Sequence, residues 1–265
     1  MKARVNNIDL GYNSQGQGEP AVVLIHGYPL SKNMWEHQVQ GLANDCRVIA
    51  VDLRGHGESQ VVEGPGSMDT FADDINALLE NLGISQAVIV GFSMGGYVAF
   101  AFYRKYPGKV KGLVLADTRP QPDAPEGAEG RRNTAKAVQE AGATASVVDG
   151  MLPRLFTQQT IDNNKGIVDR AKAIMGSTTP QGVIADLHAL ADRPDSQPTM
   201  AQITVPTLVI VGDQDTLTPV ADSELMASSI KGAKLVKVPG AAHLSPMENP
   251  EAFTAALRAF VASLK

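Results

Sequence analysis

The chain has 265 residues, 43% hydrophobic and 19% charged, which suffices to bury one large domain, or one domain with an insertion. A net charge of −5 and the lack of any basic run exclude the electrostatic footprint of a nucleic-acid or anionic-membrane binder. A single cysteine, Cys46, excludes an internal disulfide framework and a multi-cysteine metal site, and the apolar runs are strand-sized rather than membrane-sized.

The amino terminus, MKARVNNIDLGY, has no apolar secretory core, so a cytoplasmic protein is the expectation. Residues Arg4 to Tyr12 alternate weakly and predict one edge strand, followed by a polar turn over Asn13 to Glu19. Ala21 to Ile25 is continuously apolar, as in a strand buried on both faces of a parallel sheet, and it ends at His26-Gly27-Tyr28-Pro29. Ser31 is placed to cap a helix through Trp35 to Leu42, and Arg47 to Val51 is the next strand. Apolar residues at Phe71, Ile75, Leu78, Leu79 and Leu82 predict a helix over Met68 to Leu82, stopped by Gly83.

The next segment organises the chain. Ala87 to Val90 is a short β-branched run that passes through Gly91-Phe92-Ser93-Met94-Gly95-Gly96 into an apolar helix ending at Tyr106-Pro107-Gly108. A strand that turns at once into a helix packed against it leaves no room for side chains two residues either side of the apex, which accounts for Gly91 and Gly95. The apex serine is thereby lifted out of the sheet onto a helix N-terminus, where the Met94 N–H faces any oxyanion that forms.

After a further strand, Lys111 to Ala116, the strand–helix rhythm breaks. Residues 119–200 begin with a Pro/Gly-rich lead-in to Gly130 and continue as helical patterns over Ala135–Ala141, Ala145–Phe156, Thr160–Met175 and Pro180–Ala191. Strand Pro206–Val211, helix Ala221–Ile230, strand Lys234–Val238 and helix Pro250–Leu264 complete the chain. This order predicts an α/β fold with a mostly parallel, doubly wound sheet. Residues 1–118 and 201–265 would form its core, and 119–200 a helical cap.

A serine nucleophile needs a base within reach and an acid to orient that base. Of five histidines, His37 and His188 fall in predicted helices, and His26 and His56 sit in Gly-flanked turns that they can simply shape. His243 follows the last strand, and loops leaving the strand C-termini of a parallel sheet gather on one edge, so it shares that edge with Ser93. The loop Gly212-Asp213-Gln214-Asp215 also leaves this edge. Asp213, Asp215 and Asp117 all qualify as the acid on chemistry, one of them being equally suited to capping a helix. A second oxyanion donor fits the Tyr28 N–H, where Gly27 allows close approach.

The segments HGYP, DLRGHGES, GFSMGG, GDQDTLTP and GAAHLSPMENP, in that order from residue 26 to 250, resemble the α/β-hydrolase fold superfamily. The resemblance implies Asp215 as the acid, with Asp213 left to the loop, and the Tyr28 and Met94 N–H groups as the oxyanion hole. HGYPLSKNMW and VPTLVIVGDQD are most similar to carboxylesterases and 3-oxoadipate enol-lactonase-like hydrolases. The implied activity is hydrolysis of small-molecule esters or lactones through Ser93, Asp215 and His243, with no cofactor or metal. Perhydrolysis, C–C or C–N bond cleavage by the same residues, and a non-catalytic ligand-binding protein of the same fold are the alternatives. Within the cap, Met151, Leu152, Leu155, Ile167, Ile174 and Met175 are aliphatic and Phe156 is the one aromatic, which predicts a pocket for short or medium acyl groups. Met94, Phe92 and Trp35 are further candidates for its walls.

Overall fold

The uninterrupted apolar runs become the centre of one sheet. A computed structural model describes residues 1–265 and pairs eight strands in the order β1-β2-β4-β3-β5-β6-β7-β8. They are β1 (Lys2–Val5), β2 (Ile8–Gln15), β3 (Ala21–Ile25), β4 (Val48–Val51), β5 (Ala87–Phe92), β6 (Val110–Ala116), β7 (Thr207–Gly212) and β8 (Lys234–Val238). β1 and β2 run antiparallel to their neighbours and every other pairing is parallel.

The amino terminus departs from the single strand and polar turn expected there. Lys2–Val5 and Ile8–Gln15 form a hairpin around Asn6 and Asn7, whose φ values are +47° and +64°. Two successive residues with positive φ make the two-residue turn that matches strand twist, and asparagine tolerates that conformation better than other non-glycine residues. The second strand then runs through Asn13 and Ser14, where the polar composition suggested a turn.

Alternate residues of each central strand point to opposite faces, so the sheet carries two cores. Val23, Ile25 and Ile89 pack on one side with helices Met68–Asn81 and Met94–Lys105. Val22, Leu24, Val88, Val90 and Phe92 pack on the other with helices Glu36–Leu42 and Pro250–Ala262. Burying one such side chain contributes about 1.5–3 kcal/mol, so these two layers hold the sheet as a rigid platform.

Between β6 and β7 the chain is helical: Pro125–Ala141, Ala145–Met151, Gln158–Asn163, Lys165–Gly176, Pro180–Ala191 and the short Gln197–Met200. The first of these starts ten residues before the predicted Ala135, with Pro125 in its first turn where a missing N–H costs nothing. Gly127 and Gly130 disguise it in the sequence, but both lie on its exposed side. The predicted Thr160–Met175 helix is broken at Asn164 into two. These helices send Val138, Val183 and Leu187 into one core and Val148, Ile174 and Met175 into the other, so they straddle the carboxyl edge of the sheet. No helix is long and apolar enough to cross a membrane.

Strand order reverses between β3 and β5: the chain leaves β3 for β4 on one side and returns to β5 on the other. Loops diverging at such a point leave a crevice at the strand carboxyl ends. Register puts Ile25 opposite Gly91, so the loop beginning at His26 lies beside the turn at Ser93.

Candidate active site

The turn after β5 is strained where the glycine spacing requires it. Ser93 has φ +51° and ψ −114°, outside the ordinary helical and extended regions, and its N–H donates to the Ala116 carbonyl at 2.9 Å. A Cβ on Gly91 would fall on the Gly95 carbonyl, and one on Gly95 on the Ile25 carbonyl, so both positions tolerate only glycine without a shift of backbone. Thr118 Oγ1 donates to the Ser93 carbonyl at 2.8 Å and pins the turn to the β6 loop.

Three loops then converge. Ser93 Oγ lies 2.9 Å from His243 Nε2, and His243 Nδ1 lies 2.8 Å from Asp215 Oδ2. Asp215 also accepts from the Leu217 N–H at 2.8 Å, the Thr218 N–H at 3.1 Å and Thr218 Oγ1 at 2.7 Å. Burial pushes this carboxyl up, but His243 and Thr218 outweigh it and hold the group below the ordinary carboxylate range, so it stays ionised. An ionised Asp215 accepts a hydrogen bond from Nδ1–H and so keeps the proton on that nitrogen, leaving Nε2 as an acceptor for the serine hydroxyl. Phe92 packs against the imidazole with ring centroids 5.2 Å apart. The arrangement is chemically competent to deprotonate a hydroxyl as it attacks a carbonyl.

The other acid candidates do not reach the histidine. Asp213 is exposed and accepts from the Gly240 and Ala241 N–H groups at 2.9 and 3.3 Å, so it shapes the turn before His243 rather than capping the following helix. Asp117 is buried, accepts from the Gly212 N–H at 2.8 Å and meets Ser245 Oγ at 2.5 Å, tying the segments after β6, β7 and β8 together. Burial, reinforced by the nearby Asp215 charge, pushes its carboxyl well up. His26 shapes its turn by accepting from the Leu53 N–H at 3.0 Å and meeting the Gly27 carbonyl through Nδ1 at 2.9 Å; burial and the neighbouring His56 keep it neutral.

A cavity of about 330 Å³ opens over Ser93 and His243, and both Tyr28 and Met94 line it. Met94 opens its helix and Tyr28 lies outside regular structure, so neither N–H is required by a helix or a strand. A larger depression of about 660 Å³ lies between residues 62–65 and the helices Pro125–Ala141 and Pro180–Ala191, and it contains none of these groups. Chemistry rather than size marks the site.

The walls differ from the aliphatic lining expected. Of the six aliphatic cap residues, only Met151 reaches the cavity; Phe92 stands behind His243, and Trp35 is fully buried against Phe92 and Phe253. Leu190 and Leu217 supply other apolar surface, and three arginines, Arg119, Arg131 and Arg154, complete the wall. Sequence reasoning missed these arginines and Thr218. The spacing Asp215 to Thr218, which matches a side-chain-capped turn, was a legible signal for the threonine. Nothing comparable marks the arginines, because Arg131 faces the cavity while the adjacent Arg132 pairs with Asp192 outside.

Comparison with known proteins agrees with this fold. The family model for the alpha/beta hydrolase fold matches residues 20–146. The chain is 31% identical over 254 residues to 3-oxoadipate enol-lactonase 2 of Acinetobacter baylyi, covering 96% of this chain and 93% of that protein. Among solved structures, a thermophilic esterase from Thermogutta terrifontis with malate bound superposes with a TM-score of 0.96 at 40% identity, over 100% of this chain and 98% of that one. The enol-lactonase from Burkholderia xenovorans LB400 gives 0.91 at 28% identity, over 99% and 100%. This chain belongs to the α/β-hydrolase fold family.

Proposed function

We propose that the protein is a serine hydrolase of carboxylic esters or lactones with small to medium acyl groups, working through an acyl-enzyme on Ser93. The observation that carries this reading is the hydrogen-bonded line from Ser93 through His243 to Asp215 at the floor of a cavity. Ser93 attacks the carbonyl as its proton passes to His243 Nε2, and Asp215 fixes the tautomer and stabilises the imidazolium. The oxyanion accepts hydrogen bonds from the Tyr28 and Met94 N–H groups, each such donor contributing about 10²–10³ to turnover. The alcohol departs with the His243 proton, and water, deprotonated by the same imidazole, releases the acid. Every bond and proton in this route is handled by the chain's own residues.

Residues 119–200 act as a cap over a core of 1–118 and 201–265: Arg119, Arg131, Met151, Arg154 and Leu190 reach the cavity from that segment. A cavity of about 330 Å³ suits a small substrate better than a long acyl chain. The esterase and enol-lactonase relatives favour the same bond type. Hydrolysis of p-nitrophenyl esters from acetate to decanoate tests the reading. Turnover that peaks at a short chain and vanishes in Ser93→Ala is expected; no turnover by a folded parent, or full turnover by Ser93→Ala, contradicts it.

A further inference from the structure

The backbone N–H groups on either side of His243 are both tied to the insertion between β6 and β7, one directly and one through a carboxylate. The Leu244 N–H donates to the Leu155 carbonyl at 2.8 Å, and the Ala242 N–H donates to Glu248 Oε2 at 2.7 Å. Glu248 Oε1 in turn accepts from the Thr157 N–H at 2.8 Å and from Thr157 Oγ1 at 2.6 Å. Leu155 and Thr157 lie just beyond Met151 and Arg154, which line the cavity, so one short stretch both walls the cavity and holds the histidine.

Glu248 ends the short helix Ser245–Glu248 and is half-buried, yet none of these side-chain bonds returns to that helix. Its partners are neutral N–H and O–H groups, and bonds from such donors to an ionised acceptor are roughly twice as strong as neutral ones. Ala242, Leu155 and Thr157 are buried, so water competes poorly for these bonds. The segment around His243 has other anchors: Ser245 meets Asp117, and Asn249 Nδ2 donates to the Pro239 carbonyl at 2.9 Å. Those fasten it farther from the imidazole, whereas Glu248 and Leu155 take the two N–H groups next to it.

We propose that Glu248 is a positioning residue for His243: by joining the Ala242 N–H to Thr157 it keeps Nε2 aligned with Ser93 Oγ, and it makes that alignment depend on the insertion being seated on the loop. This assignment rests on the ester-hydrolase reading above and adds a residue that touches no reactant. The imidazole must accept the serine proton and then deliver it to the leaving alcohol, and a misplacement of about 1 Å can cost about 10²-fold in rate. Acylation and deacylation use the same imidazole, so loss of Glu248 falls on kcat and leaves KM in place.

The test measures kcat and KM for p-nitrophenyl acetate in the parent, Glu248→Gln, Thr157→Val, Thr157→Ser and Asn249→Ala. Counting kcat per Ser93 titrated with a p-nitrophenyl phosphonate removes unfolded protein from the comparison. An amide at position 248 cannot accept hydrogen bonds at both ends, so Glu248→Gln should lower kcat per site about 10- to 100-fold with KM within about twofold of the parent. Thr157→Val, which takes the hydroxyl from Glu248, should lower it in the same direction, and Thr157→Ser, which restores the hydroxyl, should rescue it. Asn249→Ala loosens the loop away from the imidazole and should lower the urea midpoint at the parent's kcat per site. An unchanged kcat per site in Glu248→Gln, or an equal loss in Asn249→Ala, overturns the proposal. The proton resonance of the His243 Nδ1–H reads the same alignment without turnover: it should shift and exchange faster with solvent in Glu248→Gln, and a resonance that stays in place overturns the proposal whatever the kinetics. A parent that turns over no ester sinks the hydrolase reading, and the resonance then decides the positioning role by itself.

Discussion

The protein contains two buried histidine–aspartate pairs of almost equal separation. His243 Nδ1 and Asp215 Oδ2 are 2.8 Å apart, and His56 Nε2 and Asp186 Oδ2 are 2.9 Å apart. They differ in what the second ring nitrogen meets. In His243 it faces the Ser93 hydroxyl at the floor of a cavity; in His56 it faces the Arg54 carbonyl at 3.1 Å, with no room for a reactant. The second pair also lacks the alignment of a hydrogen bond, and Asp186 Oδ1 has no partner. Asp186 belongs to helix Pro180–Ala191 and His56 to the loop after β4, so this pair fastens the insertion to the sheet. Close backbone approach reinforces the fastening: a Cβ on Gly182 would strike the Gly55 carbonyl, and Thr178 Oγ1 donates to the Pro29 carbonyl at 2.8 Å. The same two side chains are thus suited to chemistry or to anchorage according to the third group placed beside them.

The two pairs should separate cleanly under substitution. Ser93→Ala and Asp215→Asn are expected to lower ester turnover by about 10⁴-fold or more, the serine variant with little change in thermal unfolding. Asp186→Asn or His56→Gln should invert that pattern. Breaking a buried pair from one side typically costs about 3–5 kcal/mol, so urea unfolding should shift strongly while the folded variants keep the chemical step. Replacing both His56 and Asp186 with apolar residues of similar volume should recover much of that loss, because no uncompensated charge remains.

Acidity should act on the two pairs with opposite sign. The Asp215 carboxyl is lowered on folding, so its contribution is complete above the ordinary carboxylate range and is lost as pH falls through the lower folded value. At the other pair, burial pushes Asp186 up; burial opposes protonation of His56, but the Asp186 charge outweighs it and raises the imidazole. Both groups hold protons more tightly in the folded state. The His56 contribution is therefore complete below its ordinary value and lost as pH rises through the raised one. The stability difference between the parent and His56→Gln should shrink from pH 6 to pH 9, and that between the parent and Asp215→Asn should shrink in acid. Urea titrations across pH check both slopes.

Smaller effects sharpen the same contrast. Gly182→Ala should cost about 1–3 kcal/mol by forcing the insertion off the Gly55 carbonyl, seen as a lowered urea midpoint. Thr218→Val removes one hydrogen bond from Asp215, worth about 1 kcal/mol, and should reduce kcat several-fold with folding intact.

Those features written into local sequence were the legible ones. The apolar run before Gly91 and the glycine spacing around Ser93 demand a tight strand-to-helix turn wherever the rest of the chain goes. Parallel-strand logic likewise brings the loops after β3, β5, β7 and β8 to one edge. The amino-terminal hairpin was missed because its signal is a pair of asparagines whose positive φ is tolerated rather than required. The helix from Pro125 was missed because Gly127 and Gly130 read as loop although they occupy an exposed helical side. The cavity's charge was not legible at all, since whether Arg131 or Arg132 faces inward depends on how that helix is rotated on the sheet. His56 illustrates the reverse case: a glycine-flanked turn explains its presence locally, and only packing reveals Asp186 against it.

The most direct test of the account is mass spectrometry of the intact protein quenched in acid during turnover of p-nitrophenyl acetate. The account predicts an adduct of one acetyl group that maps to the peptide containing Ser93, decays as turnover ends, and is missing from Ser93→Ala. Steady turnover with no acetyl adduct at any quench time, or an adduct on another residue that Ser93→Ala retains, would contradict it.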